Sequence, residues 1–546
     1  MVVMSKGSQS CSPFRTREYP VSEHAHIPRV LRLLDVVSFG VSSTIGSGIF
    51  VSVGYIARYI TGPSLFVSFL LVVLAVLLSG FCFAEFAGKV HSAGMGYSYA
   101  YSSYGELTAL VVGILTFFSY CLGTAAVARG WADYLKCFIH AASGYELPAI
   151  VTEYKLTSII NISCLAPILC LAGAWIAITG IRESAWMSRL LTVINLSIMV
   201  GFVGYGLVVH GDSANLTPFV LPDVGWMGII KGSGLAFFCM IGWDLTCSLS
   251  DEVVESHRTL PRGIVATLLV VGVIYCSVSF TLSSIIPNDL IDISAPVATA
   301  FLSLGDKWMY LLVSFAAVTV TSANVLTGST GPPRIIYTIA KDGLLPEIFK
   351  RIDPQSGVPR NATIVCAIVN IVASMCFDFT ALASITSCFS LLVYAVVCGG
   401  LILLRVKKAS SVGNPSLGLV LSLLAFIATS LSVQFEILDS SEANSSRLLA
   451  YGCGNLIAVV FVLYMVRVQK VGMLVSDTLK SSLLSQDDDI PVFADSFRCP
   501  WVPVIPLAAM WINSFMIASL GLNTFGWTMV CVVASACIYF LTRPCQ

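Results

Sequence analysis

Charge is scarce in this chain. Asp, Glu, Lys and Arg make up 11% of its 546 residues, and 30 basic side chains balance 30 acidic ones. A chain with zero net charge and so few charged groups offers no electrostatic footprint for nucleic acid or an acidic partner, and it lacks the charge density of a soluble globular surface. No P-loop occurs, and the 18 cysteines show no paired metal-ligand spacing. Cys164, Cys170, Cys276 and Cys531 lie in apolar runs and read as small core residues. The stretch Met1 to Arg29 is polar, without the short apolar core or cleavage pattern of a secretory leader, so the first spanning helix is expected to direct insertion. No cofactor, metal or catalytic centre is expected.

Apolar length is what the chain has instead. Its hydrophobic fraction is 56% and its mean hydropathy +0.87. Roughly 20 apolar residues cross the hydrocarbon layer as a helix. Fourteen such segments are expected, at 33–57, 63–88, 106–138, 157–181, 186–209, 226–250, 261–286, 307–340, 362–380, 382–405, 417–436, 447–468, 501–520 and 524–541. The fold class is therefore an all-α polytopic membrane protein. Most Lys and Arg residues fall before the first segment or between an even segment and the next odd one, which places both termini in the cytosol.

The first segment is interrupted by Gly46-Ser47-Gly48-Ile49-Phe50. Glycine there lets the backbone leave the helix, and a bilayer tolerates free N–H and C=O groups only where they line a cavity or are buried in protein. The sixth segment carries its own break, Phe237-Phe238-Cys239-Met240-Ile241-Gly242-Trp243-Asp244. Segments one to five (33–209) and six to ten (226–405) form blocks of nearly equal length. Because each holds an odd number of spans, the two have opposite topology. Two interrupted helices at matching positions of inverted halves point to a midplane binding site. Residues 1–32 form a cytosolic tail, and segments 11 to 14 (417–541) form an appendage with a polar cytosolic loop at 471–498.

A zwitterion in a dry site needs donors for its carboxylate and acceptors for its ammonium. The half-helix after Gly48 presents N–H groups, and the carbonyls before Gly46 and Gly242 present acceptors. The candidate substrate residues are Ile45, Gly46, Ser47 and Gly48 of the first break and Phe238, Ile241 and Gly242 of the second. Asp244 follows the second break by two residues, and Glu106 opens the third segment; an acidic residue at membrane depth marks a site or a partner. Glu85 and Asp35, at the inner ends of their segments, are expected to pair with cytosolic arginines, and Arg129 to serve structure.

In this order, several stretches resemble the cationic amino acid transporters of the amino acid–polyamine–organocation superfamily. They are Gly46-Ser47-Gly48-Ile49-Phe50, Ala84-Glu85-Phe86, Gly94-Met95-Gly96-Tyr97-Ser98-Tyr99, Gly105-Glu106-Leu107, Arg182-Glu183-Ser184, Phe237 through Asp244, Leu260-Pro261-Arg262-Gly263 and Lys341-Asp342-Gly343-Leu344-Leu345-Pro346. The likeness runs from about Val30 to Pro544. It implies a five-plus-five inverted repeat with helices 1 and 6 interrupted, alternating access, and substrates such as arginine, lysine or ornithine. It also implies that Glu106 matches a glutamate important for transport, and that the eighth helix lines the side-chain pocket. Thr327, Thr330, Trp243 and Asn195 are coupling or gating candidates. Asn195 aligns with the lysine of proton-coupled bacterial relatives, which favours potential-driven uniport or exchange. Fourteen helices and the entry Pro500-Trp501-Val502-Pro503 to the thirteenth separate the chain from twelve-helix exchangers with a heavy-chain subunit, so none is expected. A plasma-membrane location is expected. A broad or neutral amino acid permease, possibly proton-coupled, and a non-transporting amino acid sensor are the alternative readings.

Overall fold

The computed structural model describes residues 16, 30–46, 48–90, 94–145, 154–155, 161–179, 185–222, 224–250, 252–354, 356–409, 417–439, 452–464 and 497–542. Most of the tail 1–32 and nearly all of the loop 471–498 lie outside these residues. Among the described residues the fold is all-α apart from a two-residue antiparallel pairing of Tyr154 and Lys155 with Ile162 and Asn161 and an isolated bridge between Leu31 and Val253.

Each of the fourteen expected segments falls on helix. The uninterrupted spans of the first ten are Leu65–Lys89, Glu106–Ser143, Leu165–Thr179, Ala185–Tyr205, Ser256–Ile285, Lys307–Lys341, Arg360–Cys376 and Phe379–Ala409. The appendage consists of Leu417–Asp439, Gly452–Tyr464, Val504–Ser519 and Leu522–Thr542. The eighth span stays helical through Pro332 and Pro333. Spans one and six are broken, as their glycines require. The first is helical over Leu33–Thr44 and resumes as a π-turn at Gly48–Ser52; the sixth is helical over Trp226–Ala236, tightens to 3₁₀ over Phe237–Met240, and restarts as 3₁₀ at Trp243–Leu249. Such departures from α geometry are frequent where a helix serves a site.

Packing pairs spans one to four with spans six to nine. The second span lies against the seventh, the third against the eighth, the fourth against the ninth, and the first break against the sixth. Small residues permit these approaches: a Cβ on Gly80 would sit 2.6 Å from Leu268, and one on Gly272 would sit 2.8 Å from Val73. Without a hydrophobic force between helices in lipid, close backbone packing and polar contacts do the joining. Buried aromatics such as Phe69, Phe83, Tyr275 and Tyr394 fill the interior, while Leu74, Trp175, Val273 and Trp527 remain exposed, the pattern expected of a surface facing lipid.

Three charged groups near the ends of their spans, Glu85, Arg129 and Asp35, are satisfied by structure. Glu85, fully buried, accepts from Arg405 at 2.6 and 3.1 Å and from the Cys499 backbone N–H at 2.7 Å, and it pairs with Lys89. Its predicted pairing with basic residues is thus observed, and it also ties the entry of the thirteenth span to the core. Arg129 donates to the carbonyls of Ser374 and Met375 at the end of the ninth span, at 2.7 and 3.0 Å. Asp35 accepts from the Arg32 backbone N–H at 2.9 Å. The short helix Gly96–Ser103 works as a hub: the Tyr97 hydroxyl donates to Asp342, Tyr101 to Glu106, and Tyr104 to the Val396 carbonyl.

Candidate functional site

A helix that stops inside a membrane leaves backbone groups unsatisfied. In the first span the helix ends at Thr44 and Ile45 turns extended, with φ −74° and ψ 104°. Its terminal carbonyls are claimed from outside the helix. Asn324 of the eighth span donates its Nδ2 to the Ser43 carbonyl at 3.1 Å, and the Tyr275 hydroxyl of the seventh donates to Thr44 at 3.1 Å. Ser43 Oγ lies within hydrogen-bond distance of both the Gly40 and Gly242 carbonyls, at 3.1 and 3.0 Å, so the same residue reaches across to the second break.

There Ile241 is extended and Gly242 takes φ +117°, a conformation L side chains rarely adopt. A Cβ on Gly242 would lie 2.3 Å from the Ser43 carbonyl oxygen, and one on Gly48 would lie 2.6 Å from the Cys239 backbone. The two breaks cross at van der Waals distance, which only glycine permits.

Where they cross, a pocket opens whose non-atom space, including the part continuous with solvent, is about 510 Å³. Gly46, Gly48, Phe238, Ile241, Gly242 and Thr327 line it, so six of the sequence-predicted residues are brought together. Phe238 stands edge-on to Phe379 with ring centroids 5.5 Å apart. Ser47 lies outside the described residues. Ile45 is buried but not in the lining. Trp243 is fully buried between Phe83 and Tyr394, at 5.2 and 5.4 Å. Thr330 is exposed and donates to the Thr327 carbonyl, and Asn195 is half-buried in the fifth span. Glu106 is buried, 3.0 Å from the Tyr101 hydroxyl, and Asp244 is buried behind Gly242. Neither acid is among the lining residues, and the described lining holds no charged side chain.

Residues 31–438 match the family model for amino acid permeases. The chain belongs to the amino acid permease family. A second model, for the permease C-terminus, matches residues 497–543. The permease is 28% identical to cationic amino acid transporter 2, vacuolar, of Arabidopsis thaliana, over 94% of this chain and 89% of the relative. It is likewise 28% identical to cationic amino acid transporter 3, mitochondrial, of the same plant, over 93% and 89%. To cationic amino acid transporter 4 of Mus musculus it is 30% identical, over 72% of this chain and 63% of the relative.

The permease is thus an integral, multi-pass membrane protein whose substrates are amino acids, and it is not an enzyme. Its cavity contains residues that sequence reasoning passed over: Ser43 and Thr44, Tyr120 and Thr124 of the third span, Asn324 of the eighth and Thr386 of the tenth. The search for acids at membrane depth skipped neutral polar groups. Asn324 is the residue that signal could have found, since an amide in an apolar helix also needs a partner. The lining combines hydroxyls and an amide with Val127, Phe238, Ile241 and Leu245, a mixture suited to binding and releasing a small zwitterion.

Proposed function

We propose that this permease moves cationic amino acids by alternating access, as a potential-driven uniporter or exchanger. The observation that carries the reading is the cavity at two crossed helix breaks in a chain similar along 94% of its length to a relative named for cationic amino acid transport. The π-turn that starts at Gly48 lies beside the cavity and suits the α-carboxylate, since its first N–H groups have no intrahelical partner. Free lone pairs on the carbonyls around Ser43, Thr44 and Ile241 suit the α-ammonium. Ile45, Gly46, Ser47, Gly48, Phe238, Ile241 and Gly242 are proposed as the binding set, with Glu106 and Asp244 as electrostatic partners of the charged side chain. A substrate with one net positive charge gains roughly 2.3 kcal/mol per 100 mV on moving inward.

The pairing of spans one to four with six to nine supports an inverted repeat of spans one to five and six to ten, because a two-fold relation between blocks places elements near their counterparts. Cytosolic termini, a plasma-membrane location and function without a heavy-chain subunit belong to the same proposal. The first is supported by the distribution of Lys and Arg. Uptake of labelled arginine into proteoliposomes, with leucine as competitor and an imposed potential or pH gradient in turn, tests it. Potential-driven, leucine-insensitive uptake is expected; leucine flux without arginine flux would make the protein a neutral permease.

A further inference from the structure

Five glycines line the cavity, and packing demands four of them. A Cβ on Gly48 would lie 2.6 Å from the Cys239 backbone and one on Gly46 would lie 3.1 Å from the Asn324 amide, while those on Gly242 and Gly328 would strike the Ser43 carbonyl and the Thr124 side chain. The fifth, Gly123, is different. A Cβ there would meet nothing nearer than a methyl of Thr386, at 3.4 Å, which is ordinary van der Waals contact. Gly123 sits inside the uninterrupted helix Glu106–Ser143, without the left-handed backbone that would require glycine. Glycine is a poor helix former, and in a membrane helix its usual use is to let a neighbouring helix come close. Neither close approach nor backbone conformation accounts for it here.

Its place in the cavity does. Ser119, Tyr120, Gly123, Thr124 and Val127 fall on one face of the third span, and all of them line the cavity. The others are buried, whereas Gly123 is half-buried. The face therefore carries a notch one turn from Ser119 and one turn from Val127, with Thr386 of the tenth span beside it. An amino acid whose carboxylate and ammonium are held at the two breaks sends its side chain toward the rest of the lining, which spans three, eight and ten supply. We infer that Gly123 is a specificity-determining residue: the space it leaves empty admits the outer part of a long substrate side chain and so sets the longest amino acid the permease carries. This rests on the placement of the substrate's backbone groups at the breaks proposed above, and it is independent of the charge on the side chain.

The test is uptake of labelled ornithine into proteoliposomes holding the full chain, competed by diaminobutyrate, lysine and arginine, which lengthen the side chain in steps. Gly123→Val is expected to weaken competition by arginine at least about 10-fold and to leave that by diaminobutyrate within about 2-fold of wild type, with lysine between them. Gly123→Ala adds a single methyl at a contact the packing tolerates. It is expected to give the same order with an arginine loss of about 3-fold, and it decides the matter if Gly123→Val does not reach the membrane. Gly328→Ala, which crowds Thr124, is the contrast, with an equal loss expected at every length. Equal losses at every length for the Gly123 variants, or unchanged competition by all the homologues, would overturn the inference while leaving cationic transport intact. If the wild-type protein carries leucine and not arginine, the cationic reading fails by itself. The same variants are then read with alanine, norvaline and norleucine against labelled alanine, where a loss that grows with length supports the role of Gly123 and a uniform one overturns it.

Discussion

The two helix breaks meet at one point but are finished differently. In the first, side chains from two other spans hold the loose end: Asn324 serves the Ser43 carbonyl and Tyr275 the Thr44 carbonyl. In the second, the chain turns on a left-handed glycine, and the Gly242 carbonyl lies 3.0 Å from Ser43 Oγ. One break is held by side chains of two other spans, the other by its own glycine and by Ser43 of the first. The first break depends on how the seventh and eighth spans pack against it, the second on its own backbone freedom and on its contact with the first.

That contrast can be broken most severely at the crossing itself. Gly242→Ala combines a left-handed backbone cost of about 1–2 kcal/mol with a Cβ 2.3 Å from the Ser43 carbonyl oxygen. Uptake of labelled amino acid is expected to fall to background while the protein remains in the membrane, as checked by membrane abundance. Gly48→Ala, whose Cβ meets the Cys239 backbone at 2.6 Å, is expected to do the same with somewhat greater residual flux.

Next comes the side-chain hold on the first break. Asn324→Ala leaves the Ser43 carbonyl unserved at a cost of about 1–3 kcal/mol, and about a 10-fold loss of uptake is expected for cationic and neutral substrates alike. An equal loss for both shows that the amide holds the backbone of the first break and does not read the substrate's side chain. Tyr275→Phe removes a single bond to Thr44, worth about 1 kcal/mol; a lower unfolding temperature of the purified protein with nearly normal KM is the expected outcome. The smallest effect belongs to Ser43→Ala. Its hydroxyl is shared between two carbonyls and holds neither alone, so a change in uptake of about 3-fold or less is expected.

Several features were legible without coordinates. The fourteen apolar segments recover every membrane helix among the described residues because, in a bilayer, a run of about twenty apolar residues has little choice but to be a helix. The glycines of both breaks were legible for the same reason: Gly46, Gly48 and Gly242 stand where a helix would otherwise continue. Pairing of Glu85 with Arg405 and Lys89 followed from the cost of an isolated acid at depth. Tyr120 and Thr386 were not legible, since a neutral hydroxyl in an apolar run has no preferred partner until another helix is placed beside it.

The sequence by itself determined the all-α membrane architecture, the two interruptions and the residues that make them possible, because each is a local matter of hydrophobic length and backbone freedom. Tertiary structure alone decided which side chains close the first break, which acids stay out of the cavity lining, and which hydroxyls gather around Asp244. These outcomes depend on how the third, seventh, eighth and tenth spans are rotated against the breaks. That rotation is set by packing among many helices at once, and no stretch of sequence carries it alone.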